Sequence, residues 1–335
     1  MSTLPHCLCF WRLAGLVSSV VTLSLPAIAN DAALTAPVAS RNLSPLYANL
    51  GIPVMSSAFA LEKGELELDW TLHWASHSVF ERSDDQILSL DGETRRQDFR
   101  AQLGLGKGVA LSLSLPYISH SGGQLDTFID DWHAFWGMPD GPRAAQPIDA
   151  LRFSYTGSSG FDLNSGRSGF GDAEIAASFT AVSAEQWTLG VFAHYKFASG
   201  DVDDFTGSGE QGVSLGVRWS HNACLAALFS CHLQLGVSGV GDSEFDSGSE
   251  ILVPFAGLSL AWELGSAVAL LAQVDAHDVV YDASPLAANG PAIWGTLGLR
   301  WQPRDRWLID AQFVEDLAVG SAPDISFRFA LSRSF

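Results

Sequence analysis

The chain has 335 residues, of which 18 are basic and 37 acidic, so its formal net charge is −19 at pH 7. A surface this acidic excludes nucleic acid and other polyanions as ordinary partners. Only 16% of the residues are charged, however, and 47% are hydrophobic. This combination is unusual for a soluble acidic protein and favours a chain that exposes an apolar belt to lipid.

Residues 1–29 are predicted to be a cleaved secretory signal peptide. Arg12 precedes the apolar stretch "LAGLVSSVVTLSL", and the small residues Ala27 and Ala29 mark a cleavage site before Asn30. A membrane anchor is the alternative, but the stretch is shorter than the roughly 20 apolar residues that a spanning helix needs. We therefore expect a protein exported by a Gram-negative bacterium.

Residues 30–63 precede the first predicted strand. They include "SPLYANLGIPVMSSAFALEKG", in which apolar residues occur without a clear period. We expect this segment to be either a plug inside the domain that follows or a lead-in located in the periplasm.

From residue 64 onward, apolar and polar residues alternate with a period of two, which is typical of β-strands with one apolar face. In "GELELDWTLHWAS", for example, Leu66, Leu68 and Trp70 share one face, and Glu65 and Glu67 share the other. About twelve such segments are predicted: 65–79, 95–105, 109–119, 171–182, 186–198, 211–220, 231–240, 252–263, 267–280, 292–302, 306–315 and 324–335.

The predicted connections alternate between long and short. The long ones are 80–94, 120–170, 199–210, 241–251, 281–291 and 316–323. Outer-membrane barrels have long outer loops, short periplasmic turns and an even number of strands. Residues 64–335 are therefore predicted to form an all-β fold, a transmembrane antiparallel β-barrel of about twelve strands in the bacterial outer membrane, surrounded by membrane lipid and lipopolysaccharide.

The 120–170 connection is predicted to be a long extracellular loop with a short amphipathic helix. Its apolar residues recur at helical spacing, and Gly137 and Pro139 end the run. The helix could constrict the lumen, lie at the outer membrane surface or pack on the barrel mouth. The residues proposed for a gating role are Phe128, Trp132, His133 and Trp136.

Alternate positions of each strand face the barrel interior and carry charges of both signs. The candidate lumen-lining residues are Arg100, Glu174, Lys196, Arg218, Glu263, Asp275 and Asp310. A barrel of twelve strands lies between a filled eight-stranded barrel and a water-filled porin. The lumen is therefore expected to be narrow and polar, and it is either a selective pore or a polar structural core.

Cys224 and Cys231 are predicted to form a disulfide, because nearby cysteines in an oxidising compartment commonly pair. A zinc site with His221 and His232 is the less favoured alternative. No metal site and no cofactor are predicted within the fold. The acidic outer loops remain candidates for binding divalent cations, although they contain no complete calcium-loop motif.

The terminal stretch "DISFRFALSRSF" alternates apolar residues and ends on Phe335. This pattern predicts a strand whose last ring lies at the periplasmic membrane interface. It also resembles the C-terminal signal by which bacterial outer-membrane barrels are recognised, which implies the barrel-assembly machinery as a partner.

No catalytic residue is predicted. The chain contains no G-x-S-x-G motif, and no outward-facing His–Ser pair can be proposed for lipid hydrolysis. The "GLGKG" stretch at 104–108 lacks the Ser or Thr of a phosphate loop and is interpreted as a tight turn. A lipid-modifying barrel enzyme therefore remains the weakest hypothesis.

Several stretches together resemble an uncharacterised family of outer-membrane proteins, domain of unknown function 3187. They are "RNLSPLYANLGIP", "ALEKGELEL", "DTFIDDWHAFWGMPDGPR" with His133, Gly137 and Arg143, and "GFGDAEIA" with Gly171 and Asp172. The resemblance implies an outer-membrane barrel and assigns no activity and no functional residue.

The leading functional hypothesis is a narrow passive pore or a small-molecule uptake protein, gated by the 120–170 loop and the 30–63 segment. The alternative is a closed structural or interaction barrel that uses its acidic outer loops.

Overall fold

The computed structural model describes residues 32–137, 147–157, 160–241, 252–280, 285–318, 320–323 and 325–335. The predicted signal peptide, residues 1–29, lies outside the described residues. None of the helices in these ranges is long and apolar enough to span a bilayer.

The fold consists almost entirely of β-strands. The strands are β1 (Leu66–Arg82), β2 (Ile87–Gly106), β3 (Val109–Ser121), β4 (Arg152–Thr156), β5 (Gly160–Leu163), β6 (Arg167–Phe170), β7 (Glu174–Ser183), β8 (Trp187–Lys196), β9 (Gly212–His221), β10 (Phe229–Val240), β11 (Leu252–Gly265), β12 (Val268–His277), β13 (Ala292–Arg304), β14 (Trp307–Asp316) and β15 (Ile325–Ser334). The α-helix α1 (Asp126–Trp136) lies between β3 and β4, and a short 3-10 helix (Ala287–Asn289) lies between β12 and β13.

Twelve strands close into an antiparallel barrel in the order β1, β2, β3, β7 to β15. The closing pair is β1 with β15, in which Glu67 lies opposite Ser334 and Ser76 opposite Ile325. The short strands β4 and β6 extend the wall, because β4 pairs with β2 and β6 pairs with β3. The predicted fold class is therefore confirmed, and the β1–β15 pairing joins the first and last strands of the chain.

The two ends of the barrel differ. The turn end carries the short connections 107–108, 184–186, 222–228, 266–267 and 305–306. The loop end carries the other connections, among them the long 122–173. The predicted long loop at 80–94 is wrong, because β1 and β2 run on to a short turn at 83–86. Leu88 and Leu90 face inward there, so the expectation that inward-facing residues are polar fails at this end of the barrel.

The outward face of the barrel is apolar. Leu113, Leu215, Leu258 and Leu297 are each more than half exposed. At the turn end, Trp187, Trp262 and Trp301 are also exposed, as expected for an aromatic girdle at a membrane interface. This surface matches the hydrocarbon region of a bilayer.

Residues 32–63, here called the inner segment, lie inside the barrel. Its ascending arm (32–42) contacts inward-facing side chains from near the turn end up to the loop end. Its apex (43–50) lies at the loop end, where the Tyr47 hydroxyl donates to the Ala288 carbonyl. Its descending arm (51–63) returns to the turn end, where the Ala58 amide donates to Ser220 Oγ. The segment therefore fills the lumen before β1 begins.

Candidate functional site

Wall side chains bind the backbone of the ascending arm. Arg300 Nη1 donates to the carbonyls of Ala33 and Ala36 at 3.0 and 2.7 Å. Higher in the barrel, the Gln273 amide pairs with both the N–H and the carbonyl of Val38, each at 2.8 Å. These bonds satisfy the polar groups of an irregular segment that contains no secondary structure of its own.

Arg41 connects the ascending arm to two carboxylates of the wall. Its Nη2 lies 2.7 Å from Glu174 Oε2, and its Nε lies 3.8 Å from Asp98 Oδ2. Burial lowers the pKa of Arg41, but the carboxylates of Glu174 and Asp98 outweigh burial and raise the pKa above its ordinary value. The guanidinium is therefore charged at every physiological pH.

The wall carboxylates around Arg41 belong to a larger charged network. Arg96 contacts Asp98 at 2.9 Å and Glu174 at 3.4 Å, and its Nη1 donates to the Ala48 carbonyl of the apex. His194 lies 3.3 Å from Glu174. Such networks hold their members firmly only when each member is partnered, so they fix the position of the inner segment.

An apolar cluster, here called the seal, closes the loop end of the lumen. It has three sources: the apex, the inward faces of the wall, and the connections folded over the mouth. Its 15 buried members are Leu46, Tyr47, Leu50, Val79, Leu88, Leu90, Phe153, Tyr155, Leu163, Phe205, Val240, Val253, Val280, Leu286 and Ala288. Apart from the hydroxyls of Tyr47 and Tyr155, the side chains of the seal offer no polar partner to water or ions.

The descending arm is held without ion pairs among the described residues. The Gln234 amide donates to the carbonyls of Pro53 and Val54 at 3.2 Å, and the Thr180 hydroxyl donates to the Ala58 carbonyl at 3.4 Å. Fewer charged side chains therefore hold this arm than hold the ascending arm.

Between the two arms and the wall lies a polar chamber of about 300 Å³. Its lining includes both arms of the inner segment and the inward faces of β1, β2, β13, β14 and β15. The charged groups that line it are Arg41, Glu65, Glu67, Asp69, Asp98, Arg100, Arg300, Asp310 and Arg328. The chamber reaches residues next to the turn end, namely Glu65 and Ser332.

The ion pairs of the chamber bring opposite charges together on neighbouring strands. Arg300 Nε contacts Asp310 Oδ1 at 2.7 Å, and Arg328 Nη1 contacts Asp310 Oδ2 at 2.9 Å. Arg100 Nε donates to Asp69 Oδ2 at 3.0 Å. The walls are therefore charged but locally balanced, which allows the chamber to hold water and small polar solutes.

The structure places all seven candidate lumen residues on the inward face. Arg100, Glu174 and Asp310 belong to the networks around the chamber and Arg41. Lys196 contacts Asp172 at 2.7 Å near the loop end. Glu263 and Asp275 are buried, and the carboxylate of Asp275 accepts a bond from Gln273. The alternation of residues along each strand thus identified inward positions, but it did not identify which inward side chains contact each other.

Several residues of this site were missed in the sequence. Arg96 and Arg300 occupy inward positions of β2 and β13, and strand parity alone could have found them. Arg41 could not have been found in this way, because the inner segment has no period. The contacts of Arg41 depend on the path of the chain through the lumen.

The helix α1 does not constrict the lumen. Leu125 and Ile129 pack with Ile325 against Trp74 and Phe327. Trp74 shares the face of the exposed Trp70, and Phe327 shares the face of the exposed Phe329.

The helix therefore lies against the outer side of the wall, and the prediction that Phe128 gates the lumen is wrong, because its ring contacts Phe327 at 6.1 Å between centroids. The side chains of Trp132, His133 and Trp136 lie outside the described residues.

A buried carboxylate explains why the helix docks there. Glu93 is outward-facing on β2 and fully buried, and it accepts hydrogen bonds from the amides of Gln124 and Leu125. The Trp74 indole donates to the same carboxylate at 2.6 Å. A carboxylate at the start of a helix is favourable, because the amides there are unpaired. The sequence gives no hint of this contact, since Glu93 fell in a predicted loop.

Cys224 and Cys231 form a disulfide next to the turn end, with their Cα atoms 5.9 Å apart. It connects the 222–228 connection to β10. In the described part of the chain, no three His, Cys, Asp or Glu side chains are grouped so that they could hold a metal ion.

These features define the class of the protein: a transmembrane β-barrel with an internal N-terminal segment. The chain belongs to the family described as protein of unknown function DUF3187, whose model matches residues 13–335. The comparison with curated proteins finds no significant match.

The chain is similar to several solved structures, of which one shares the barrel fold. The COG4313 outer-membrane channel from Pseudomonas putida F1 is 14% identical, with 82% of this chain and 97% of that chain covered and a TM-score of 0.54. The NanC porin is 10% identical, with coverages of 80% and 98% and a TM-score of 0.47. The KdgM porin is 8% identical, with coverages of 80% and 99% and a TM-score of 0.43. At such identities, the first of these similarities shows a common fold alone.

Proposed function

We propose that the protein is a gated, narrow channel of the outer membrane for small hydrophilic solutes. The observation that carries the proposal is the charged chamber of about 300 Å³, located between the arms of the inner segment and the wall. A barrel that served only as a rigid structure would gain more from an apolar core, because buried ion pairs are seldom more stabilising than packed hydrophobic residues.

The inner segment is the gate in this proposal. It lies in the path through the barrel, and its apex supplies Leu46, Tyr47 and Leu50 to the seal. Passage therefore requires the apex to leave the seal or the seal to loosen around it. In this proposal the turn end, where β1 begins and β15 ends, faces the periplasm. The loop end faces the exterior.

Membrane lipid and lipopolysaccharide surround the apolar belt in this proposal, and the assembly machinery recognises β15. Binding of divalent cations at the acidic outer loops stays a prediction. The second candidate, a closed interaction barrel, is favoured by the completeness of the seal and would show no conductance under any condition.

A reversible crosslink between the gate and the wall tests the proposal. The hydroxyls of Ser40, on the ascending arm, and Thr296, on β13, are 2.9 Å apart. The double variant S40C/T296C, with Cys224 and Cys231 changed to serine, therefore places two thiols at bonding distance. Single-channel currents of this variant are recorded in a planar bilayer before and after reduction.

A matched control is S214C/S238C in the same background. These two hydroxyls are 2.8 Å apart, but both belong to the wall. The proposal expects discrete openings that the oxidised Ser40–Thr296 crosslink suppresses and reduction restores, whereas the control conducts in both states. Currents that are equally large in the oxidised and reduced gate variant would contradict the proposal, as would a properly folded wild-type barrel that never conducts.

A further inference from the structure

A second, smaller cavity lies on the other side of the descending arm. Its volume is about 60 Å³, and its lining includes Arg100, Arg218, His194 and Glu174. It shares six lining residues with the chamber, namely Arg41, Val54, Ser56, Arg100, Gln102 and Ser114, so the two spaces are adjacent.

Arg218 has an unusual environment for a lumen arginine. Its Nε donates to Gln234 Oε1 at 2.7 Å, and its guanidinium lies over the Phe192 ring at 3.9 Å from the centroid. Within the described part of the chain, no carboxylate forms an ion pair with Arg218 and its two Nη atoms have no hydrogen-bond partner. The stacked ring fixes the plane of the group and leaves its outer edge free.

The rest of the lining does not neutralise this charge. Among the described residues, Arg100 likewise bonds only through Nε, to Asp69. Glu174 is the one carboxylate among the described residues that line the cavity, and it is already bonded to Arg41, Arg96 and His194. Two guanidinium groups with free Nη atoms therefore face one small space.

His194 supplies an independent observation. Its side chain is only 6% exposed, and its Nε2 contacts Glu174. Its Nδ1 is buried and makes no hydrogen bond to any described residue. Buried polar atoms in folded proteins nearly always have a partner, and His194 lines the cavity, so this lining leaves a polar group for an occupant to satisfy.

We infer that this cavity binds the carboxylate group of a small solute, with Arg218 as its principal contact. The fork of a guanidinium matches the two oxygens of a carboxylate. The volume is about that of two water molecules in the liquid, which admits a carboxylate head and excludes a large body. Arg100 extends the positive field to the chamber.

The inference deepens the proposed channel function and rests on it for its biological use, because it makes monocarboxylates the favoured solutes. Binding is nevertheless measurable without conductance. The probe is acetate, titrated by calorimetry into protein extracted from the outer membrane in detergent and kept in chloride-free buffer. Acetamide, which has nearly the same shape and no charge, is the matched ligand control.

We expect saturable acetate binding and no detectable acetamide binding. Arg218→Gln should weaken acetate binding at least tenfold, whereas Arg304→Gln, at the exposed end of β13, should leave it unchanged. Arg218→Lys keeps the charge and loses the fork, so it should weaken acetate several-fold, and it provides a folded variant if Arg218→Gln does not assemble.

Equal binding of acetate and acetamide, or unchanged acetate binding in both Arg218 variants, would overturn the inference. A barrel that binds acetate through Arg218 but never conducts would retain the site and refute the channel. A barrel that conducts without binding acetate would retain the channel and refute the site.

Discussion

The two halves of the lumen are built from the same alternating strands but differ in the groups that dominate their interior. In the loop-end half, the inward residues of the wall include Val79, Leu88 and Val253, which form the seal with the apex. In the turn-end half, the inward residues include Asp69 and Arg300, which line the chamber. The barrier and the polar space are therefore separate regions, and substitutions can alter either one alone.

The inner segment connects these halves, and its two arms are held differently. The ascending arm is held through Arg41, which pairs with Glu174 of the wall, and through Arg300 and Gln273 of the wall, each of which makes two hydrogen bonds to the arm's backbone. The descending arm receives single bonds from neutral side chains. We therefore expect the descending arm to detach at a smaller free energy than the ascending arm.

The largest expected effect comes from opening the seal. Phe153 is fully buried and its ring packs edge-on against His77 and His120 at 5.5 and 5.4 Å. Phe153→Ala should lower the free energy of unfolding by about 4 kcal/mol and increase the frequency of channel openings. Urea unfolding in detergent and bilayer recordings measure these two effects.

The control for the seal is Phe179→Ala, because Phe179 lies on the outward face of β7 and is 48% exposed. It should leave the opening frequency unchanged. If both phenylalanine variants open the channel equally, the seal is not the barrier.

Removal of the Arg41 charge should have the next largest effect. Arg41→Gln leaves Glu174 and Asp98 buried with one cation fewer, and loss of one member of a buried ion pair costs about 3 kcal/mol. The free energy of unfolding, measured in urea, should fall by roughly this amount.

Arg304→Gln removes an exposed guanidinium at the turn end and serves as the matched variant. Its unfolding free energy should change by less than about 0.5 kcal/mol. Equal losses in the two arginine variants would mean that Arg41 does not hold the inner segment.

A smaller effect is expected where the descending arm leaves the apex. Gly51 has a φ of +75°, and a Cβ there would lie 2.5 Å from Lys196 Cδ. Gly51→Ala should destabilise the barrel by about 1–2 kcal/mol, as measured by its urea midpoint. Gly265→Ala meets no atom within 4 Å and should leave the midpoint almost unchanged. A larger loss at Gly265 would contradict the assigned strain.

The smallest effect should follow Asp275→Asn. Asp275 is 6% exposed and accepts a bond from Gln273, and within the described residues it has no cationic partner. Replacing this unpaired carboxyl group by an amide should change the free energy of unfolding by less than about 1 kcal/mol or stabilise the protein.

Asp310 provides the contrast, because Asp310→Asn removes the partner of both Arg300 and Arg328. It should cost about 3 kcal/mol. Similar losses at the two aspartates would mean that Asp275 has an ion-pair partner in the folded protein.

Strand parity predicted much of the fold, because the bilayer outside and the polar chamber inside impose opposite chemistry on successive residues. It placed Asp310 and Glu174 inside correctly. It failed at Leu88 and Leu90, where the interior is itself apolar and the alternation no longer distinguishes the two faces. The region between 80 and 94 was therefore predicted as a loop although it is mostly strand.

The site was less predictable than the barrel. The contacts of Arg41 arise only when an aperiodic segment is threaded between strands distant in sequence. The position of α1 depends on Glu93, which lies on the outward face of the wall. Its carboxylate is buried because the helix covers it. Neither contact leaves a pattern in the local sequence, because each joins residues that are far apart in the chain and that only the fold brings together.

Side-specific thiol labelling tests most directly whether the lumen is open at one end and sealed at the other. Thr71→Cys places a thiol in the chamber, and Val253→Cys places one in the seal. Each variant is reconstituted in liposomes of established orientation and treated outside with a small, charged thiol reagent. The account predicts that the Thr71 position reacts only when the turn end faces the reagent and that the Val253 position reacts from neither side. Rapid labelling of the Val253 position, or of the Thr71 position from the loop end, would contradict it.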